Sequence, residues 1–242
     1  MIEELLPSAA AAAAAAGDLP YADLYPEELA LVRRMAPLRR QEFATGRHCA
    51  RQALGLLGVL PGPISRTEGG APRWPEGTVG SMTHCAGYRA AAVAWRRDLL
   101  ALGIDAEPHA ALPGDVRKAI TLGSERAALA DLEAAHPRIH WDRLLFSAKE
   151  SVYKAWYPLT GRWLEFTDVV LAFDPVRGTF TARLLVSPRT PAERRFPVEF
   201  SGRWAVRTGL ALTAVAIAGP AARVGTHPAT RDAYRSGEQS GR

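Results

Sequence analysis

The segment Gly103-Ile104-Asp105-Ala106-Glu107-Pro108 places two carboxylates two residues apart at the end of an apolar run. That run, residues 99–104, is typical of a buried strand. Side chains two positions apart on a strand point to the same face, so Asp105 and Glu107 are expected to lie side by side. A hard cation such as Mg²⁺ between them would remove their repulsion and leave coordination positions for water and phosphate. The alternative is two solvated acids at a strand end.

A third carboxylate lies on a predicted helix over residues 141–157, which we expect Pro158 to end. Glu150 and Lys154 are one turn apart on this helix, in the order that favours an ion pair. A surface pair would contribute only a few tenths of a kcal/mol, roughly. Three aromatic residues surround the pair in sequence, which indicates a helix that is mostly buried: Phe146, Tyr153 and Trp156. A half-buried charge pair needs a functional reason.

Positive and donor groups come from two earlier elements. A helix is predicted over residues 37–57, and Arg40, Arg47 and Arg51 fall on one broad face of it, although a solvated basic face is the alternative. His84 follows a predicted strand over residues 79–83. Three carboxylates, a lysine and phosphate-type donors fit Mg²⁺-assisted transfer of a phosphate ester. The chain contains no glycine-rich phosphate loop, which disfavours ATPase and dinucleotide chemistry.

Composition limits the class of protein. The chain has 242 residues and a formal net charge of +5, with a pI near 9.5, which favours an anionic partner: a nucleotide, a nucleic acid or an acidic protein. No apolar run is long enough to cross a bilayer. The alanine tract at residues 9–16 follows acidic residues rather than a basic region, so we reject secretion. Two cysteines, expected as reduced thiols, complete the expectation of a cytoplasmic protein.

The order of predicted elements indicates an α+β protein with two halves, each built on an antiparallel sheet. Residues 1–20 are expected to form a flexible segment with at most one marginal helix, because the alanine tract has no apolar face to dock. The N-terminal half is predicted at 21–109 and the C-terminal half at 110–218. Residues 219–242 carry no apolar pattern and are expected to be a disordered tail.

At these residues the chain resembles the 4′-phosphopantetheinyl transferases. The resemblance rests on the Asp105–Glu107 segment, on the later run Lys149-Glu150-Ser151-Val152-Tyr153-Lys154, and on Gly80-Ser81-Met82-Thr83-His84-Cys85, which matches the family's histidine motif. The run from Glu42 to Arg51 is similar to the broad-specificity branch that serves siderophore, polyketide and nonribosomal peptide synthesis. Residues 141–163 look most like actinobacterial members.

The resemblance implies a monomer folded as a pseudo-dimer of two similar α/β halves, with the active site in the cleft between them. It implies that Asp105, Glu107 and Glu150 hold Mg²⁺ against the pyrophosphate of coenzyme A. A carrier-protein serine would attack the β-phosphorus, and 3′,5′-ADP would leave. Glu150, or a water on the metal, would remove the serine proton, with Lys154 stabilising charge or relaying the proton.

Coenzyme A binding is carried over by the same resemblance. The implied coenzyme A ligands come from the helix at 37–57, the loop after it and the histidine motif, and Asp105 belongs to both the coenzyme A site and the metal site. They are Arg39, Arg47, Arg66, Thr83, His84 and Asp105. Arg66 departs from the pattern, because close relatives have lysine there, and arginine offers a different donor geometry. The partners implied are apo acyl and peptidyl carrier proteins, docked through an acidic helix that a basic surface would attract, and fatty-acid synthases could be among them.

Two other hypotheses compete with the enzyme. A nucleic-acid-binding module would explain the pI, but it needs a dense basic patch with stacking aromatics and has no use for buried acids. The arginines here are spread along the chain, and no nucleic-acid partner is expected. An inactive, carrier-binding relative is disfavoured because Asp105, Glu107, Glu150 and Lys154 are all present.

Overall fold

The structure is a computed structural model and describes residues 1–19, 24–191 and 193–219. The predicted disordered tail lies outside the described residues, apart from Gly219. Within the described part, no helix combines the length and the apolar character needed to cross a membrane. Cys49 and Cys85 are free and buried.

The first part of the chain forms a three-stranded antiparallel sheet in the order β1-β3-β2. Its elements, after a short 3₁₀ helix at Ile2–Leu5, are β1 (Ala10–Ala15), α1 (Pro26–Val32), α2 (Pro37–Leu56), β2 (Thr78–Cys85) and β3 (Tyr88–Trp95). Helix α2 packs on the outer face of this sheet, where Ala50 and Leu54 meet Ala91 and Val93. The predicted helices at 26–34 and 37–57 and the strand at 79–83 are confirmed within a residue or two.

The second part forms a five-stranded antiparallel sheet in the order β4-β8-β7-β6-β5. Its elements are β4 (Leu99–Pro108), α3 (Gly114–Ile120), α4 (Gly123–Ala135), α5 (Trp141–Thr160), β5 (Val169–Asp174), β6 (Thr179–Leu184), β7 (Glu199–Arg207) and β8 (Leu210–Ala218), with short 3₁₀ helices at Phe166–Asp168 and Glu193–Arg195. Helix α5 crosses one face of this sheet, against β4 and β8.

A shared apolar core joins the two sheets. Alternate residues of β3, including Ala90 and Ala92, face inward and meet Leu102, Ile104 and Leu212 of the second sheet. The α+β fold with two antiparallel sheets is thereby confirmed. Strand β4, which the predicted boundary at 109/110 assigns to the first half, is hydrogen-bonded to β8 of the second sheet. The division at 109/110 stays a prediction.

The prediction of a flexible segment with at most one marginal helix over residues 1–20 is wrong for residues 10–15. These alanines form strand β1, whose six residues pair with β3. Alanine favours a helix in isolation, but here the edge of β3 supplies partners for the backbone, and tertiary context outweighs propensity. The small side chains also let α2 pack closely over β1, where Ala11 and Ala13 contact the apolar core between α2 and the first sheet.

Two predicted boundaries also differ from the structure. Helix α5 continues past Pro158 to Thr160 and ends at Gly161, whose φ is 64°. A proline close to the end of a helix removes a single backbone hydrogen bond, and the left-handed glycine then supplies the stop. The apolar pattern predicts two strands, at residues 198–200 and 204–207, whereas residues 199–207 form the single strand β7.

Candidate active site between β2, β4 and α5

Strand β4 presents one of its two faces to α5. Leu102, Ile104 and Ala106 face the core between the sheets, so Gly103, Asp105 and Glu107 face the helix. The contact at Gly103 is so close that a β-carbon there would lie 1.8 Å from the carbonyl oxygen of Ser151. The missing side chain therefore lets α5 lie directly on β4. The predicted placement of Asp105 and Glu107 on one strand face is confirmed.

Asp105 lies at the centre of this arrangement and is 4% exposed. Its Oδ1 accepts hydrogen bonds from Thr83 Oγ1 at 3.1 Å and from Lys154 Nζ at 2.6 Å. Lys154 also donates to the carbonyl of Ile104 at 3.2 Å. The Oδ2 atom is buried and has no hydrogen-bond partner in the described residues. Lys154 therefore forms its ion pair with Asp105 rather than with Glu150 on its own helix.

Glu107 is paired with a residue that the sequence did not indicate. Arg143 of α5 donates to Glu107 Oε2 at 3.0 Å and to the carbonyl of Ala110, also at 3.0 Å. Burial raises the pKa of Glu107, the negative charge of Asp105 raises it further, and Arg143 acts in the opposite direction. Arg143 is 36 residues away along the chain, and no motif links the two.

Glu150 is the third carboxylate near Asp105. Burial raises its pKa, the charge of Asp105 adds to the increase, and Lys154 opposes it. In the side-chain positions of the described residues, no three His, Cys, Asp or Glu side chains form a group that could hold a metal ion. Among the described residues, Lys154 pairs with Asp105 and Arg143 pairs with Glu107, whereas Glu150 forms no ion pair. Together with the unpartnered Oδ2 of Asp105, this donor set fits a hard cation that takes carboxylate oxygens.

A second group of predicted residues lines a cavity of about 110 Å³ between α2, β2 and the loop that follows α2. The cavity brings together all five residues that the resemblance assigned to coenzyme A alone: Arg39, Arg47, Arg66, Thr83 and His84. Three arginines around a small cavity form a site for an anion, because arginine presents donors that match phosphate oxygens. We name it the arginine cavity.

Arg47 is the most buried of these arginines, at 4% exposed. Its Nε donates to the carbonyl of Ile64 at 2.8 Å, and its Nη1 lies 3.2 Å from the sulfur of Met82. Its Nη2 is buried without a hydrogen-bond partner in the described residues. Burial lowers the pKa of Arg47 to about 10. The ring of Phe43 supports both Arg47 and Arg66, whose guanidinium carbons lie 4.3 and 5.1 Å from its centre.

Arg39 and His84 occupy the open side of the arginine cavity and contact each other. Arg39 Nη1 lies 2.7 Å from His84 Nε2, and since arginine only donates, the imidazole nitrogen must accept. Burial and the charge of Arg39 lower the pKa of His84, which agrees with a neutral ring. Glu42 completes the cluster, 2.9 Å from Arg39 Nη1. Glu42 is not among the site residues predicted from the sequence, although its i,i+3 spacing from Arg39 on a helix could have indicated it.

The two groups of residues are joined by consecutive positions of β2. Thr83 contacts Asp105, and His84 contacts Arg39. Because Thr83 and His84 are consecutive residues, their α-carbons are about 3.8 Å apart. A second cavity of about 260 Å³ adjoins the arginine cavity at Gly70, Pro72 and Met82 and reaches Lys154 and Tyr157 of α5. Lys154, which lines this second cavity, is paired with Asp105, so the carboxylate cluster borders the cleft through its lysine and the arginines line the other end.

The chain is similar to known proteins along most of its length. Residues 27–94 match the family model described as 4′-phosphopantetheinyl transferase N-terminal domain, and residues 101–208 match that of the 4′-phosphopantetheinyl transferase superfamily. The chain is 56% identical to 4′-phosphopantetheinyl transferase Svp of Streptomyces mobaraensis, over 91% of each chain. It is 47% identical to PptT of Mycobacterium tuberculosis, over 83% of this chain and 92% of that one.

A third relative, 4′-phosphopantetheinyl transferase Npt of Nocardia iowensis, is 44% identical over 90% of this chain and the whole of its own length. The two family-model matches include every residue of the cleft described above. The chain belongs to the 4′-phosphopantetheinyl transferase superfamily.

Proposed function

We propose that the protein transfers the 4′-phosphopantetheine arm of coenzyme A to a serine hydroxyl of apo carrier proteins, with Mg²⁺, and releases 3′,5′-ADP. The observation that carries the proposal is the arginine cavity and, directly beside it, a carboxylate cluster that Thr83 and Lys154 join to the cleft through Asp105. Coenzyme A bears a 3′-phosphate and a 5′-diphosphate on one ribose. These two anionic groups fit the two parts of the cleft: the arginine cavity would bind one phosphate group directly, and the carboxylate cluster would bind the other through a cation.

Arg39, Arg47, Arg66 and His84 bind the 3′-phosphate in this proposal. The buried, unpartnered Nη2 of Arg47 supports the assignment, since a buried donor without an acceptor costs free energy that an incoming phosphate oxygen would recover. Thr83 lies between the two ends and fixes Asp105 through its hydroxyl. The arginine at position 66 keeps the positive charge on the loop side of the cavity.

Asp105, Glu107 and Glu150 would hold Mg²⁺ at the other end. The ion, when bound, neutralises charge that grows on the phosphate of the leaving 3′,5′-ADP. Glu150 is the carboxylate that we assign to accept the serine proton, because it is the one of the three acids without an ion-pair partner among the described residues. Lys154 holds Asp105 in place and adds positive charge where the phosphoryl group is transferred.

The acceptor in this proposal is a carrier protein that presents an acidic helix. The net charge of +5 supports it, because a basic protein attracts an acidic partner and speeds the encounter. The serine would enter the same cleft beside Glu150. We propose a cytoplasmic monomer that serves polyketide, nonribosomal peptide or siderophore synthases.

Asp105→Asn tests this function, because it keeps the size of the side chain and removes its charge. We expect Mg²⁺-dependent labelling of apo carriers, followed by mass spectrometry of the products, to fall by at least about a hundredfold. Asp115→Asn, at an exposed position on α3, is the matched control and should label like the wild type. Unfolding curves of both variants check the fold. Labelling by Asp105→Asn at the wild-type rate would exclude the proposed metal site.

A further inference from the structure

The arginine cavity contains a carboxylate of its own. Glu42, on α2, lines the cavity, and its side chain is 17% exposed. Its Oε2 lies 2.9 Å from Arg39 Nη1 and 3.8 Å from His84 Nδ1, and its Oε1 lies 3.4 Å from Arg89 Nη2. A negative charge at an anion site opposes the binding of the anion, so its presence there needs an explanation.

Arg89 does not supply that explanation. Its side chain is 4% exposed, and two hydrogen bonds at 3.0 and 3.1 Å join it to the carboxylate of Asp18. It also donates to the carbonyls of Cys85 and Tyr88. Because these partners compensate Arg89 without Glu42, the carboxylate of Glu42 is free to act on the cations that face the cavity.

Arg39 and His84 are the groups on which Glu42 acts. Arg39 is half exposed and has a long side chain that would otherwise take many positions. Glu42 and His84 hold its Nη1 at the cavity from two sides, at 2.9 and 2.7 Å. A phosphate that reaches Arg39 and His84 must replace the contacts that Glu42 makes with them. Arg47, with its unpartnered Nη2, and Arg66 remain available throughout.

We propose that Glu42 is an internal counter-anion: it positions Arg39 and His84 in the free protein, yields them to the 3′-phosphate of coenzyme A, and limits how tightly that phosphate is held. The inference rests on the proposed function. Coenzyme A and 3′,5′-ADP carry the same 3′-phosphate, so a site that binds it too tightly would retain the product. Glu42 is a positioning residue that lowers the affinity for coenzyme A and thereby allows 3′,5′-ADP to be released.

Glu42→Gln tests the inference, because the amide keeps an acceptor for Arg39 and loses the charge. We expect calorimetry to show coenzyme A and 3′,5′-ADP binding about fivefold more tightly than to the wild type, since a like charge within a few ångströms of the phosphate is removed. Binding of 3′-dephospho-coenzyme A should not change. Product inhibition by 3′,5′-ADP should become stronger by a similar factor. Glu27→Gln, exposed on α1, controls for the change in net charge.

A double-variant cycle separates positioning from a structural role. If Glu42 acts through Arg39, Glu42→Gln should tighten coenzyme A binding less in an Arg39→Gln background than in the wild type. Weaker binding of coenzyme A to Glu42→Gln, or an equal change for 3′-dephospho-coenzyme A, would overturn the inference and leave the proposed function in place. A wild-type protein that binds no coenzyme A would overturn both. Thermal unfolding confirms that each variant is folded.

Discussion

Thr83 joins the backbone of β4 to the carboxylate at the centre of the site. Its hydroxyl accepts the N–H of Ala106 at 3.0 Å and donates to Asp105 Oδ1 at 3.1 Å, and the residue is 2% exposed. Thr83→Val keeps the shape of the side chain and removes both hydrogen bonds. A buried N–H and a carboxylate oxygen each lose a partner, so we expect the free energy of unfolding to fall by about 1–3 kcal/mol.

Urea unfolding of Thr83→Val measures this loss, and Thr83→Ser, which keeps the hydroxyl, is the control. We expect the serine variant to lie close to the wild type, apart from the lost methyl group. If valine and serine have the same effect, the hydroxyl does not hold Asp105 and β2 is fixed to β4 by packing alone.

The acids of the site could be predicted from the sequence, whereas their partners could not. Strand periodicity is enough to place Asp105 and Glu107 on one face. That Lys154 pairs with Asp105, and Arg143 with Glu107, depends on how α5 crosses β4, which no local pattern encodes. The pair of Glu42 and Arg39 differs from these two pairs, because both residues lie one turn apart on α2 and a local pattern could have indicated their contact.

Gly103 sets the distance between β4 and α5. A β-carbon at this position would lie 1.8 Å from the carbonyl oxygen of Ser151 and 2.8 Å from the backbone nitrogen of Ala155. Both are backbone atoms of a helix and cannot move without moving the helix. We expect Gly103→Ala to lower the free energy of unfolding by about 3 kcal/mol or more, the upper range for overpacking, and to shift Lys154 away from Asp105.

Chemical unfolding and carrier labelling measure the two effects of Gly103→Ala. Gly114→Ala is the matched control, because a β-carbon at Gly114, the first residue of α3, meets nothing within 4 Å. The control should be neutral or slightly more stable, since alanine restricts the unfolded chain. Equal stability of the two variants would mean that α5 is not held against β4 at Gly103.

The type of secondary structure could be predicted where side-chain periodicity was strong. The prediction failed where tertiary contacts determine the secondary structure. The stripe of apolar residues on α5 predicted a helix, and the structure packs that stripe against the second sheet. A tract of alanines has no stripe, so the sequence could not show that residues 10–15 would pair with β3. The buried ion pair between Lys149 and Glu125, at 2.8 Å, escaped prediction for the same reason.

At the scale of the whole molecule, the two sheets meet in a core that contains ionisable groups. Cys85 and Tyr88, on the β2–β3 hairpin, are 9% and 1% exposed. Burial, with the charges of Glu107 and Asp105, raises the pKa of Cys85 from 9.0 to about 11. Burial also raises the pKa of Tyr88 from 10.0 to about 12. Both groups are therefore neutral in the folded protein up to a higher pH than in the unfolded chain.

These shifts predict a loss of stability at alkaline pH. A group whose pKa is raised by folding contributes its full stabilisation below its unfolded pKa and loses it as the pH rises through the folded value. For Cys85 this window is pH 9 to 11, and a shift of two pKa units corresponds to about 3 kcal/mol at most. Tyr88 extends the loss toward pH 12. The apolar core between the two sheets, which contains both groups, should therefore lose stability as the pH is raised.

Urea unfolding of the wild type and Cys85→Ala, repeated from pH 7 to 11, measures the contribution of the thiol. The two free-energy curves should run parallel between pH 7 and 8, where the thiol is almost entirely neutral in both states. Above pH 9 the wild type should lose stability faster than the variant, because only its unfolded chain can release the thiol proton. Curves that stay parallel up to pH 11 would mean that water reaches Cys85, and that the core between the sheets is not closed at the hairpin.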